Sequence, residues 1–417
     1  MPPSPGPVSP SPGEKESSIR LYYSDSYLRQ FTATVLETVT ADGRPGAVLD
    51  RTAFYPASGG QPHDTGRLGS AGVVNVTVRE SDQGVIHWLD APLEPGPVQG
   101  VIDWPRRFDH MQQHTGQHIL SRAFIEVAGA ETIGFHLGGE TVTIDLAAAG
   151  LPDERIAAAE ALANEIITAS LPVRAWFPEP GELAGLSLRK APDVAGPVRL
   201  VAIGEFDLTP CGGTHVKGTG EIGLVAVLRA ERLKRGTRIE FRSGLRARSD
   251  YAGKNALVRE LAGLLTCAPE ELAPSITRMR DSLQEARREL SRLRERELDQ
   301  EATTLLATGT PADGLRLVVR AWPDRPVEEL RALALRLTSG PGTVALLAAG
   351  GARTQLVFAR SESVAQDLSP TFRTALEELG GGRGGGTRIM QGTAGPASPE
   401  ELEPVLARAA HRLVAAP

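Results

Sequence analysis

The sequence predicts an α+β chain built from several domains, and three observations carry that expectation. Residues 19–100 alternate apolar and polar positions and are punctuated by Gly, Asp and Pro, a strand pattern. From Trp104 to about 250, helical periodicity alternates with short strand-like runs. After a long charged stretch, residues 311–417 return to alternating strands and helices, the signature of an α/β unit.

The elements follow in order. Residues 1–18 are Pro/Ser-rich and are expected to form a disordered tail. Residues 19–100 are expected to close into a small β-barrel, with FTATVLETVTADGRPGAVLD and GVVNVTVRESDQGVIHWLD among its strands. A helix starts near Trp104 and runs through FDHMQQHTGQHILSRAFIEVAG. The stretch ETIGFHLGGETVTIDLA reads as strand. A second helix covers PDERIAAAEALANEIITASL, with Pro152 and Asp153 in its first turn. PVRLVAIG and EIGLVAVLRAER are further strands, which complete a domain over 101–250. In 251–310, Ile276, Met279, Leu283, Ala286, Leu290 and Leu293 step by three and four along a charged helix. This heptad seam slips after Leu293, so a helical hairpin with 252–266 as the other arm is expected, open to homodimerisation. In 311–417, LRLVVRAW and TVALLAAGG read as strands. PVEELRALALRLTSG and SPTFRTALEELGGG read as helices ended by Gly. GGGRGGG at 380–386 is expected to build a tight backbone surface before a TRIMQG strand.

Composition narrows the classes. Of 417 residues, 41% are hydrophobic and 23% charged, so neither a disordered chain nor a collagen is indicated. With two cysteines, Cys211 and Cys267, no disulfide framework is possible, and a reducing, cytoplasmic home is expected. The N-terminus lacks a signal-peptide pattern, and no run approaches the ~20 apolar residues of a membrane span. The formal charge of −6 requires any nucleic-acid contact to be local. Lysine occurs only at positions 15, 190, 217, 234 and 254, an arginine bias that reads as a GC-rich genome.

The chemistry concentrates in the histidines. His114 and His118 are four apart on a predicted helix, so both rings leave one face. Cys211 and His215 are also four apart, on a Gly-Gly turn that lets a short loop wrap an ion. Three imidazoles and a thiolate form a tetrahedral Zn2+ donor set. The competing reading has the histidines packing the helix and Cys211 as a small buried hydrophobe. His110 shares the stripe but lies about 12 Å from His118 along the axis, too far to share one ion with both partners. It is expected to be RNA-facing or to support the ligands. His63 and His136 are candidate pocket residues; His87 and His411 are ordinary surface or core residues. TAFYPASGGQPHDTG, residues 52–66, has consecutive glycines that imply close backbone approach to a ligand, or simply a hairpin loop. Asp207, four before Cys211, either orients a ligand imidazole or caps a loop. No nucleotide-triphosphate loop, serine-hydrolase elbow or H-E-x-x-H motif occurs.

QHTGQH at 113–118 and CGGTH at 211–215 resemble the paired zinc motifs of the alanyl-tRNA synthetase editing domain. FYPASGGQPHDTG resembles the glycine-rich motif of the same family's preceding barrel, and LKRGTRIEFRSG at 233–244 its closing strand. The motifs come in family order over roughly 20–250. GGGRGGGTRIMQG is similar to the signature of the DHH-associated C-terminal domain. Only about 20 residues precede the barrel, which leaves no room for an aminoacylation core. The chain therefore resembles the free-standing editing proteins of the AlaX family, in the long form, rather than a synthetase fragment.

The resemblance implies a trans-editing hydrolase that deacylates mischarged tRNA(Ala), chiefly carrying serine, with glycine as the second candidate. It implies one Zn2+ on His114, His118, Cys211 and His215. Carried onto this chain, Thr52 and Gln61 match family positions near the pocket, and the Thr52 hydroxyl is expected to read the serine hydroxyl. The catalytic set is then Thr52, Gln61, His114 and His118. Gly59, Gly60, Arg107, Lys234, Arg235 and Arg238 are expected to contact substrate or tRNA, with Arg106, Arg122 and Arg242 flanking. Ser58 departs from the Gly found there in many free-standing members. Two alternatives remain: a non-catalytic zinc protein that binds tRNA, and a DHH-type phosphoesterase, which would need an N-terminal α/β domain rich in metal-binding Asp and His.

Overall fold

The computed structural model describes residues 18–139, 141–179, 181–191 and 196–415. The chain divides into two compact units, Met1–Leu261 and Ala262–Pro417. Most of the expected tail lies outside the described residues. Its last member, Ser18, is buried, and its hydroxyl donates to the Leu49 carbonyl at 2.6 Å.

The first unit opens with β1 (Ile19–Arg20), then β2 (Gln30–Ala41) and β3 (Arg44–Leu49). The turn between β2 and β3 is Asp42-Gly43, both at positive φ, the geometry that follows the right-handed twist of a hairpin. β4 (Arg51–Thr52) pairs in parallel with β1. After β5 (Gly66–Leu68), β6 (Ala71–Val78), β7 (Val85–Leu89) and β8 (Gly96–Ile102), six strands close a barrel in the order β2-β3-β7-β6-β5-β8. Phe31, Val35, Leu49, Phe54, Leu68, Val76 and Leu89 fill it. His87 is buried among them, and burial pushes its pKa down to about 4.

Asp103 caps α1 (Trp104–Ala128), Pro105 sits in its first turn, and Gly129 ends it at φ 62°. The helix is buried on nearly every side from His110 to Ser121, although its middle is mostly polar. Those polar groups are satisfied across the fold. The Gln113 side chain accepts from Ser243 N–H and donates to Ser243 C=O, both at 2.8 Å. Gln112 bonds Glu221 C=O and Leu245 N–H. Gly116 lets the helix press against Ser243, where any Cβ would collide with the hydroxyl. β9 (Thr132–Leu137), β10 (Val142–Leu146) and α2 (Asp153–Thr168) follow. Next come β11 (Val173–Trp176), β12 (Leu200–Ile203) and β13 (Asp207–Pro210), which form a three-stranded sheet. β14 (Val225–Leu233) and β15 (Gly236–Ser243) join β10 and β9 in a four-stranded sheet, in the order β14-β15-β10-β9. α1, α2 and this sheet share one core around Phe124, Ile144, Ile167 and Phe241. The first unit then runs into α3 (Gly244–Leu265).

In the second unit, α4 (Leu272–Thr308) leads into β16 (Thr310–Ala312), β17 (Leu315–Trp322), α5 (Val327–Leu337), β18 (Thr343–Ala349) and β19 (Thr354–Arg360). α6 (Ser369–Glu378), β20 (Gly382–Gly386), β21 (Ile389–Ala394) and α7 (Pro399–Ala415) complete it. The sheet runs β16-β17-β18-β19-β21-β20, and β17 and β18 are parallel. Every residue of β18 is buried because both faces are covered. Leu298 and Ala302 of α4 pack with α5 on one face, and α6 and α7 cover the other. The glycine run is an exposed edge strand, with Gly384 opposite Gly392 at backbone contact.

Candidate metal centre

His114 and His118 project from the buried middle of α1. Cys211 and His215 lie just past β13, which β12 holds antiparallel. The four side chains converge, with one ligand atom from each lying within 4.8 Å of all the others. Cys211 Sγ is 3.4 Å from His114 Nε2 and 3.3 Å from His215 Nε2. This group could hold a metal ion.

Each histidine of the quartet faces a polar side chain. The Gln61 carbonyl oxygen, an acceptor only, lies 2.8 Å from His114 Nδ1, so Nδ1 carries the proton and Nε2 presents its lone pair to the cluster. The same oxygen accepts from Thr214 N–H, and Gln61 Nε2 donates to Thr214 Oγ1 at 2.9 Å. Thr115 Oγ1 is 3.1 Å from His215 Nδ1 and accepts from Val216 N–H. Asp207 Oδ2 faces His118 Nδ1 at 3.6 Å, while Oδ1 takes a 2.7 Å bond from Arg189. Asp207 belongs to β13, so it is not a loop cap. Burial raises the Cys211 thiol, but the imidazoles of His114, His215 and His118 outweigh it and leave the thiol well below its ordinary range. Burial pushes His215 down to about 3. For His118 burial is outweighed by Cys211 and Asp207, and its pKa rises.

The glycines are placed by contact. A Cβ on Gly213 would fall inside the His114 ring and 2.9 Å from Gln61 Oε1. Gly60, at φ +84°, would set a Cβ 2.9 Å from the Phe135 carbonyl oxygen. The Phe135 ring stacks on His114 at 5.3 Å. Gly59, at φ +55°, has open space around it. The motif at 52–66 is thus a loop wedged against the ligand helix.

Two expected contacts, those of Arg107 and Thr52, are corrected. Arg107 does not face RNA. It is fully buried, paired with Asp64, and its guanidinium also donates to the Ser26 and Ala53 carbonyls. Thr52 is fully buried as well. Its hydroxyl bonds His87 Nε2 at 2.7 Å and accepts from Phe54 N–H. His87 Nδ1 sits 3.0 Å from the Ala47 carbonyl and must be its donor, so Nε2 takes the Thr52 proton. That proton is unavailable to a substrate hydroxyl. Arg238 is paired with Asp145, Arg242 with Asp250 and Arg122 with Glu126. Lys234 and Arg235 are exposed in the β14–β15 turn. Arg106 donates to the His63 carbonyl.

Of the other histidines, His63 Nε2 lies 3.1 Å from the Val74 carbonyl, and His136 is exposed on β9. His110 is buried, its Nδ1 finds no partner among the described residues, and burial with Arg106 and Arg246 pushes it down to about 3. Two residues escaped sequence reasoning. Arg189 anchors Asp207, and Arg199 donates to the Cys211 and Gly213 carbonyls at 3.1 and 2.8 Å. Nothing in a local pattern marks either one, because their partners lie 12 to 18 residues along the chain.

Residues 198–240 match the family described as threonyl and alanyl tRNA synthetase second additional domain. That span contains the Cys211/His215 half of the cluster. The chain is 33% identical to the alanyl-tRNA editing protein AlaX-L of Pyrococcus horikoshii, over 92% of this chain and 96% of that protein. The chain belongs to the alanyl-tRNA editing protein family. An alanyl-tRNA editing protein Aarsd1 from Bos taurus is 33% identical over 62% of each chain. The alanine–tRNA ligase of Pyrococcus furiosus is 36% identical, over 66% of this chain and 31% of the ligase. The editing-family resemblance thus runs through both units.

Replacing Gln61 with Ala should leave His114 free to rotate and to change tautomer. Metal affinity is expected to fall by about 10- to 100-fold, read by competition with a chelating dye. An unchanged affinity would show that Gln61 does not position the ligand.

Proposed function

We propose that the chain is a cytoplasmic trans-editing hydrolase that cleaves the aminoacyl ester of mischarged tRNA(Ala), with Ser-tRNA(Ala) and Gly-tRNA(Ala) as substrates. The observation that carries this reading is the buried three-histidine, one-cysteine cluster, in a chain whose relatives are named alanyl-tRNA editing proteins. Three imidazoles and a thiolate suit Zn2+. His114, His118, Cys211 and His215 would hold it. When bound, the ion supplies Lewis acidity toward the ester carbonyl or a grip on the amino group. The chain's own residues do the positioning. Gln61 keeps the His114 proton on Nδ1, and Arg199 fixes the two carbonyls that bracket the Gly-Gly turn. An aminoacyl ester is already activated, so a held substrate and an oriented water suffice without a covalent nucleophile.

Four protein ligands would suit a structural ion, which also favours a second reading, a zinc protein that binds tRNA without cleaving it. Incubation with Ser-tRNA(Ala) separates the two. Deacylation well above the uncatalysed rate is expected; tRNA binding with no acceleration would establish the binding protein. The phosphoesterase reading loses support because the N-terminal region is a β-barrel. Among the described residues, no helix is long and apolar enough to cross a membrane.

We assign the second unit to the DHH-associated type and the α4 seam to a second copy of the chain. Ile276, Met279, Leu283, Leu290 and Leu293 are each 50–52% exposed. In a parallel pair, Glu289 of one copy would face Arg294 of the other across the seam. Sedimentation should give a dimer for the natural chain and a monomer for Leu283→Glu; a natural chain that sediments as a monomer at all concentrations removes this assignment.

A further inference from the structure

The end of the three-stranded sheet nearest the metal centre carries an aromatic and cationic cluster, of which Arg199 alone also braces the ligand loop. The ladder pairs Trp176 with Leu200 and Leu200 with Pro210. One residue further along, Phe177, Arg199 and Cys211 fall in the same rank, and Cys211 N–H donates to the Arg199 carbonyl at 2.9 Å. Tyr23 fills the space beside them. Its ring meets Phe177 edge-to-face at 5.5 Å and 76°. The Arg199 guanidinium lies 5.4 Å from the Tyr23 ring centre and the Arg20 guanidinium 5.7 Å. Arg20 also donates to the Tyr23 hydroxyl at 3.1 Å. Neither arginine has a carboxylate partner among the described residues. The Tyr23 hydroxyl sits 3.7 Å from the position a Gly212 Cβ would take, so the cluster abuts the loop that carries Cys211.

Phe177 is 45% exposed. A phenylalanine serving only to pack would be covered. Here a large part of the ring faces water, in the same rank as a candidate ligand, with the Arg20 guanidinium on the neighbouring Tyr23 ring. Aromatic rings next to arginines are the usual platform for an unpaired nucleobase, whose flat face stacks while its phosphate meets the cations. We propose that Phe177, supported by Tyr23, Arg20 and Arg199, stacks the terminal purine base of the RNA 3′ end and thereby sets the ester beside the metal centre. This rests on the reading that the substrate is an aminoacylated RNA end.

The probe is an uncharged acceptor-stem minihelix with 2-aminopurine as its terminal base, whose fluorescence is quenched on stacking. Titration with the full metal-loaded chain should quench the probe. Phe177→Ala should lose the quench and bind about tenfold more weakly. Phe177→Trp should restore both. Phe177→Leu, which keeps the apolar contact with Tyr23 but has no ring, should behave like Phe177→Ala, so misfolding cannot explain the loss. Metal content is measured on every variant and should equal that of the natural chain. Equal quench and affinity in Phe177→Leu, or no quench with the natural chain, overturns the proposal. A ring-dependent quench in a chain that does not deacylate Ser-tRNA(Ala) would instead overturn the hydrolase reading and leave the base subsite standing.

Discussion

Gly213→Ala is expected to strip the chain of its metal while leaving it folded. The reason is steric. Gly213 is absent from the positive-φ residues, so alanine fits its backbone conformation. The added methyl, however, would overlap the His114 ring and press on Gln61 Oε1 at 2.9 Å. Either the ring turns away or the Cys211 loop lifts, and each removes a ligand from the quartet. Metal affinity should fall by ~100-fold or more, and the deacylation we assign to the site should fall with it. Gly212→Ala is the matched control. Its methyl would meet nothing closer than the Tyr23 hydroxyl at 3.7 Å, so it should keep its metal. Metal analysis after dialysis reads both variants. Equal metal in the two would mean that the loop does not approach His114 as closely as the geometry states.

Replacement of Arg107 with Ala should be the most destabilising single change in the first unit. The guanidinium and the Asp64 carboxylate are both fully buried. Removing the arginine strands that carboxylate with one remaining donor, Tyr55 N–H at 2.6 Å, and leaves the Ser26 and Ala53 carbonyls without their cation. Breaking a buried pair in this way costs about 3–5 kcal/mol. Urea unfolding of Arg107→Ala should therefore show the first transition at much lower denaturant. Arg107→Lys should recover only part of the loss, because an ammonium cannot reproduce the guanidinium fork. A residue that gripped RNA phosphate would give the opposite result, weaker tRNA binding at unchanged stability.

That contrast shows what the sequence could reveal. The quartet was legible because each half is local: two histidines one helical turn apart, and a cysteine and histidine spanning a Gly-Gly turn. The bounds of α1 were legible for the same reason, since Asp103, Pro105 and Gly129 mark its ends chemically. Arg107 misled because an arginine beside a binding motif is ordinarily exposed. Its partner Asp64 is 43 residues away, and only the folded barrel brings the two together. Thr52 misled in the same way, because His87, the group that takes its proton, lies 35 residues on. Arg189 and Arg199 leave no trace in spacing because Asp207 and Cys211, on which they act, lie 18 and 12 residues further on. α7, which with α6 covers one face of the second unit's sheet, has Leu402, Val405, Leu406, Ala409 and Leu413 at helical spacing. The run of glycines carries no side-chain signal for a strand, yet it pairs with β21 because facing backbones can approach closely.

The polar middle of α1 has one more consequence. Gln112, Gln113 and Thr115 tie the helix to Glu221, Leu245, Ser243 and Val216, and none of these bonds involves the ligand atoms. The helix is thus anchored by the scaffold independently of whatever the imidazoles grip. The other half of the cluster is held as well, since Arg199 and Gln61 bind the Cys-Gly-Gly loop to the fold. The fold therefore gathers all four side chains by bonds of its own, none of which an ion has to supply.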